Sequence, residues 1–202
     1  MTLRIGFLAS HNGSSMRTIL QAIDDGAIDA QPTICISNNA SSGAIAYAKD
    51  RGIPTRCLNA KVCGGEEAVD RAIRDALQAV RTDYVILSGY MKRIGLLTLA
   101  AFPDRIFNIH PSLLPAFGGE GMYGMNVHRA VLAAGVPETG ATVHVVDEVY
   151  DHGRILAQVR VPVLPDDTEE TIRARVAAEE GPLYVKVLTE LAKGENAQNM
   201  LS

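Results

Sequence analysis

The sequence predicts an α/β protein with a doubly wound, mostly parallel Rossmann-like sheet, helices on both faces and a β-hairpin in its C-terminal half. Three observations carry this expectation. The short apolar runs Leu3 to Ala9, Thr33 to Ser37, Tyr84 to Ser88 and Arg105 to His110 have the length and unbroken hydrophobicity of strands buried on both faces. Stretches with helical spacing separate these runs, an alternation that right-handed crossovers convert into an open parallel sheet. Ala141 to Val146 and Ile155 to Val161 then alternate apolar and mixed positions around the turn-rich Tyr150-Asp151-His152-Gly153, as the arms of a long hairpin do.

Taken in order, the first helix is marked by Met16, Ile19, Leu20 and Ile23 at i, i+3, i+4 and i+7, with Gly26 placed to stop it. A second stripe comprises Val69, Ala72, Ile73, Ala76, Leu77 and Val80. Glu66 and Glu67 at its start and Arg81 at its end suit the helix dipole. Beyond the hairpin, Asp167 followed three residues later by Glu170 reads as a capping box. Gly181-Pro182 is expected to interrupt the helix this box opens, and Leu183, Val187, Leu188 and Leu191 resume its stripe.

A chain of 202 residues that is 47% hydrophobic can bury one full core and is too short for two large ones. A net charge of -4 lacks the positive excess that holds a nucleic-acid backbone, so nucleic acid is not an expected partner. A small anionic substrate stays open, because a local site can be positive on an acidic protein. Cys35, Cys57 and Cys63 show no paired spacing and are expected to be reduced, Cys35 as a small core residue. No apolar stretch has the length of a signal peptide's core region or of a membrane span, so a cytoplasmic location is expected.

The loop Ser10-His11-Asn12-Gly13-Ser14-Ser15 joins the first strand to the first helix, and its small residues leave backbone amides able to hold a phosphate at a helix N-terminus. A plainer reading makes Ser14 the N-cap behind a glycine turn. No G-x-G-x-x-G or Walker lysine is present, so neither a dinucleotide nor a nucleoside triphosphate is indicated.

Asn108-Ile109-His110-Pro111-Ser112-Leu113-Leu114-Pro115 is the most informative stretch. Strand periodicity puts Asn108 and His110 on one face with Cα atoms about 6.5 to 7 Å apart, and the prolines stiffen the turn that follows. An amide donor beside an imidazole suits acyl or formyl transfer, where an oxyanion is stabilised while a proton moves. The same residue types also serve as a turn-capping amide and a core histidine, and spacing alone does not choose. A catalytic imidazole needs a carboxylate to orient it. Asp151 in the hairpin turn is the candidate and Asp147 on the same loop its competitor, with His144 a supporting or packing residue. No metal is implied, because neither histidines nor cysteines have ligand spacing.

With these residues in view, the chain resembles the folate-dependent formyltransferase family over nearly its whole length. The resemblance rests on Asn108 to Pro115, on Glu138-Thr139-Gly140-Ala141-Thr142-Val143-His144-Val145-Val146, and on Tyr150-Asp151-His152-Gly153 with Ile155-Leu156-Ala157-Gln158 following. It implies that Asn108, His110 and Asp151 are catalytic with His144 in support. It also implies that Tyr90, Met91, Lys92, Arg93 and Ile94, together with Asp147, Val149 and the rest of the 147–151 loop, receive the folate's pterin ring, largely through backbone groups. Asn12, Gly13, Ser14 and Ser15 resemble the family's acceptor-phosphate loop, and Glu180 its ribose contact. The implied reaction moves the formyl group of 10-formyltetrahydrofolate to the primary amine of glycinamide ribonucleotide, a step of purine synthesis, through protonated His110 and without a metal. The partners so implied are small molecules, with the protein a monomer or homodimer.

Under this resemblance residues 1–202 form a single formyltransferase domain, a 1–100 half for the acceptor phosphate and a 101–202 half for catalysis and folate. Two departures touch the acceptor side: Ser15 where the family has asparagine, and Gly181 where it commonly has histidine. Gly118 to Met125 is glycine-rich, and two readings stay open for it, a mobile flap near the acceptor and an ordinary surface loop. Competing expectations are hydrolysis of the same folate, as in formyltetrahydrofolate deformylase, which carries an N-terminal regulatory domain where Leu3 here opens a strand at once; formylation of another phosphorylated amine, by enzymes that usually extend past a point such as Ser202; and a binding module without turnover.

Overall fold

The computed structural model describes residues 2–194. Seven strands hydrogen-bond in one mostly parallel sheet, β1 (Leu3–Leu8), β2 (Ala30–Ser37), β3 (Thr55–Cys57), β4 (Tyr84–Leu87), β5 (Ile106–His110), β6 (Glu138–Val145) and β7 (Ile155–Pro162), in the order β3-β2-β1-β4-β5-β6-β7. The helices are α1 (Ser14–Asp24), α2 (Gly43–Asp50), α3 (Ala60–Cys63), α4 (Glu66–Ala79), α5 (Leu96–Ala101), α6 (Met125–Ala134) and α7 (Glu169–Ala192). The chain forms two compact units that divide between Phe107 and Asn108.

In the first unit the chain starts at β1, steps outward to β2 and β3, then returns to β4 on the other side of β1. Parallel pairing of β1 with both β2 and β4 makes this the point where strand order reverses. Open α/β sheets leave room for a ligand just beyond the strand C-termini at such a point. The loops after β1 and β4 meet there: the Ser10 amide donates to the Gly89 carbonyl at 3.1 Å, and the Met91 amide donates to Ser10 Oγ at 2.8 Å. Ile5, Phe7, Leu8, Cys35, Ile36, Val85 and Ile86 are buried, so these strands read as continuous apolar runs. Burial pushes the Cys35 thiol up to about 12, in keeping with a packing residue rather than a nucleophile.

In the second unit β6 and β7 form the expected antiparallel hairpin, with Thr142 opposite Gln158 and Val143 opposite Ala157. Two expectations for the final helix are corrected. The N-cap is Thr168, which makes a reciprocal box with Thr171, while the Asp167 carboxylate is taken by the Arg175 guanidinium at 2.7 and 2.8 Å. A bidentate charged pair outcompetes a neutral amide for that carboxylate. Pro182 does not interrupt α7, which runs unbroken to Ala192. Ile172, Val176, Leu183, Tyr184, Val187 and Leu188 are buried along it, and this burial outweighs a proline penalty of about 3 kcal/mol. The helices α2 and α5 and the strand β3 carry too few periodic positions to be read in advance.

Pro182 itself is exposed, so its ring contributes little packing. Replacing it restores an amide for the Ala178 carbonyl and relieves the ring's clash there. Pro182→Ala is expected to raise the unfolding free energy by about 1–3 kcal/mol in urea titrations; a loss of stability would show that the proline is needed where it stands.

Candidate active site

Asn108 and His110 lie at the C-terminal end of β5, and His144 lies near the end of β6. The fourth member, Asp151, occupies the hairpin turn with a left-handed backbone, φ 56°. Aspartate is among the few L-residues that enter this region readily. Gly153 follows because a Cβ there would run into the Val145 carbonyl, so the turn closes tightly on the hairpin's end.

The four side chains converge. Asp151 Oδ2 is 3.3 Å from His110 Nδ1, and Asp151 Oδ1 is 3.5 Å from His144 Nε2. Asn108 Nδ2 is 3.1 Å from His144 Nε2. Asp147, the competing carboxylate, instead accepts the Val149 amide at 2.8 Å and faces His152 in the exposed part of the loop. Of the two carboxylates, Asp151 is the one that faces both imidazoles.

Each imidazole turns its other nitrogen to a backbone carbonyl, His110 Nε2 to Phe117 at 2.8 Å and His144 Nδ1 to Val145 at 2.9 Å. A carbonyl only accepts, so each of those nitrogens carries hydrogen. The nitrogen facing Asp151 is then a bare lone pair in a neutral ring and a donor in an imidazolium. One carboxylate thus offers a place for a proton that either ring can hold.

Burial sets the balance. It pushes His110 below the ordinary imidazole pKa, against the Asp151 charge and the Phe117 carbonyl, which favour the protonated ring. For Asp151, burial acts upward, but the His144 hydrogen bond, the charge of His110 and the Gly119 amide together hold the carboxyl below its usual value. Burial thus works against, and the Asp151 carboxylate in favour of, the protonated His110 that the resemblance implies for the reaction.

A support that sequence reading did not single out holds the turn after β5. Thr142 Oγ1 donates to the Ser112 carbonyl at 2.6 Å and accepts the Leu114 amide at 3.0 Å, while Gln158 Nε2 reaches the Leu114 carbonyl at 2.9 Å. Thr142 is two residues from His144 on the same strand face, and Gln158 is its cross-strand partner, so the hairpin register was the signal that could have found them. The glycine-rich segment is also tied in: the Gly119 amide donates to Asp151 Oδ2 at 3.0 Å. Its last residue, Met125, belongs to α6 rather than to the loop.

In the first unit, Gly13 caps α1 with φ 62° and no side-chain cap, so Ser14 is the first helical residue and not the N-cap. Asn12 and Ser14 are exposed and Ser15 is buried. The residues expected to meet a pterin divide: Tyr90 and Ile94 are buried, whereas Met91, Lys92 and Arg93 are exposed. Burial, with Glu66 nearby, pushes the Tyr90 hydroxyl up to about 12. In the second unit Val149 is exposed, and burial raises the half-buried Glu180 carboxyl to about 7 against the pull of Arg173. Among the described residues no group of three or more histidine, cysteine, aspartate or glutamate side chains is placed to hold a metal, and no helix is long and apolar enough to cross a membrane.

The family model described as formyl transferase matches residues 3–188. The chain belongs to the formyl transferase family. It is 44% identical to the chloroplastic phosphoribosylglycinamide formyltransferase of Vigna unguiculata over 94% of its own length and 61% of the relative's. The chain thus spans less than two thirds of that relative. Against the phosphoribosylglycinamide formyltransferase of Haemophilus influenzae it is 35% identical, covering 95% of this chain and 88% of that one. Among solved structures, glycinamide ribonucleotide transformylase 1 from Symbiobacterium toebii superposes with a TM-score of 0.89 at 37% identity, covering 96% of this chain and 89% of the other.

The lowered His110 pKa fixes a sign for stability. A folded-state value below the ordinary 6.5 means that the unfolded chain binds the proton more readily, so stability present above that value is lost as pH falls. His128, buried and likewise lowered, acts in the same direction, as does Asp151 at lower pH. Glu180, raised to about 7, acts in the opposite direction over the same range, so the His110 contribution is read by difference: the urea midpoint of the unaltered protein relative to that of His110→Asn is expected to be lower at about pH 5.5 than at about pH 7.5; a relative midpoint that rises toward acid would contradict the burial assignment.

Proposed function

We propose that this formyl transferase moves the formyl group of 10-formyltetrahydrofolate to the primary amine of glycinamide ribonucleotide, in the cytoplasm, as a step of purine synthesis. The observation that carries the reading is the Asp151 carboxylate within 3.3 Å of His110 and 3.5 Å of His144, in a chain whose relatives bear that activity in their names. Such a cluster does what formyl transfer requires at one carbon.

The acceptor amine attacks the formyl carbon, a C–N bond forms, and the carbonyl oxygen becomes an oxyanion. Asn108 donates its amide hydrogen there, and a proton taken up by His110 beside Asp151 stabilises the growing negative charge. An imidazole with a depressed pKa suits this role, because it gives its proton up readily. Asp151 holds the ring and takes up the proton that the attacking nitrogen sheds, directly or through water. The bond to the folate nitrogen then breaks, that nitrogen gains one proton, and the product amide has lost one. His144 orients Asn108 and shares the carboxylate. We assign the acceptor phosphate to Asn12, Gly13, Ser14 and Ser15, the acceptor ribose to Glu180, and the pterin ring to the backbone of residues 90–94 and of Asp147 to Val149. The whole chain is read as one formyltransferase domain, with its 1–100 half serving the phosphate and its 101–202 half the chemistry.

Incubation with 10-formyltetrahydrofolate, with and without glycinamide ribonucleotide, tests the reading. Release of tetrahydrofolate only when the acceptor is present supports it. Release without acceptor would mark a hydrolase, and none under either condition a binding module. Asp151→Asn is expected to lower turnover by about 10²- to 10⁴-fold with an unchanged circular dichroism spectrum; an undiminished rate would remove Asp151 from the mechanism.

A further inference from the structure

Arg17 lies on the first turns of α1, just behind the loop assigned to the acceptor phosphate, and its guanidinium grips backbone rather than a carboxylate. Nε donates to the Asn12 carbonyl at 3.0 Å, and a terminal nitrogen donates to the Gly43 carbonyl at 3.2 Å. The same group lies 4.2 Å from the centre of the Tyr47 ring. Tyr47 is held in turn by the C-cap residue of α2, Arg51, which reaches its hydroxyl at 3.4 Å, stands 5.4 Å from its ring and pairs with Asp24 at the end of α1.

The fork has a geometric consequence. A trans peptide holds its C=O and the next N–H antiparallel. Pinning the Gly43 carbonyl to Arg17 therefore aims the Ala44 amide to the opposite side, where it donates to the His11 carbonyl at 3.0 Å. By the same rule, pinning the Asn12 carbonyl aims the Gly13 amide away from Arg17. The next two amides, of Ser14 and Ser15, begin a helix with no side-chain cap, whereas the Met16 amide is already satisfied by Ser88 Oγ at 2.9 Å. Among the described residues the Gly13, Ser14 and Ser15 amides donate to no protein group. The approach leaves no slack: a Cβ at Gly43 would meet Asn12 Oδ1 at 2.5 Å, and one at Gly13 would meet Ala44 Cβ at 3.0 Å.

We propose that Arg17, backed by Tyr47, is the positioning residue of the acceptor site: its guanidinium clamps the Asn12 and Gly43 carbonyls and so aims the Gly13 to Ser15 amides at the acceptor's phosphate. Preorganised donors bind an anion without the cost of ordering the loop. Arginine is suited to this because its planar fork spans two carbonyls while its face stacks on an aromatic ring, whereas lysine brings a point charge with neither a fixed fork nor a flat face.

The inference rests on reading residues 12–15 as the phosphate loop, so two measurements are combined. Formyl-transfer kinetics and NMR titration with inorganic phosphate are run on the unaltered protein, Arg17→Ala, Arg17→Lys and Tyr47→Ala. Arg17→Ala is expected to raise the acceptor KM about tenfold, with kcat and the folate KM within about twofold. Arg17→Lys recovers only part of that loss, Tyr47→Ala moves the same way, and phosphate affinity follows the acceptor KM. An unchanged acceptor KM in Arg17→Ala, or full recovery with lysine, overturns the clamp; Tyr47→Ala keeps the question decidable should Arg17→Ala fail to fold. If the unaltered protein transfers no formyl group, the functional reading fails, and the titration still decides Arg17. Equal phosphate affinity with and without the guanidinium, or no phosphate response at the Gly13 to Ser15 amides, overturns it.

Discussion

A single carboxylate between two buried imidazoles is the constraint on which the second unit turns. Asp151 can reach His110 and His144 only because β6 and β7 keep a register that ends at a left-handed turn, and because His144 lies on the inner face of β6. Each ring is held on its far side by a backbone carbonyl, so neither can swing away from the carboxylate without breaking a hydrogen bond. Burial makes the arrangement costly to charge and therefore responsive, since a proton placed there is stabilised by Asp151 and opposed by lost solvation.

The first unit solves a different problem with a similar device. An anion is bound best by amides already aimed at it, and loop amides point where the neighbouring carbonyls allow. A guanidinium turned to the carbonyls, rather than to the ligand, fixes the amides indirectly and keeps its charge nearby. In both units the groups that would touch substrate are positioned by others that touch only protein.

Much of this was legible in the sequence because period-two alternation is local. Asn108 and His110 share a face, and alternation of Ala141 to Val146 about a turn from Ile155 onward announces the hairpin that brings Asp151 near them. Asp151 was already preferred to Asp147 in the sequence, but the difference in geometry was not legible there: Asp151 has a φ of 56° and faces the imidazoles, whereas Asp147 accepts the amide of its own turn. Nor was the continuity of α7 through Pro182, because the apolar face that carries the helix past the proline is a tertiary property. The N-cap at Thr168 was displaced from Asp167 by an arginine eight residues on, a contact that no window of a few residues reveals. The Arg17 clamp was hidden for the same reason, joining α1 to a glycine at the start of α2.

The sharing of Asp151 is most directly read from the titration of the His110 ring nitrogens by ¹⁵N NMR, in the unaltered protein and in Asp151→Asn. Because the carboxylate raises a pKa that burial lowers, its neutralisation should move the His110 titration to still lower pH. A His110 titration that stays in place, or moves upward, when that charge is removed would contradict a shared carboxylate at the centre of the site.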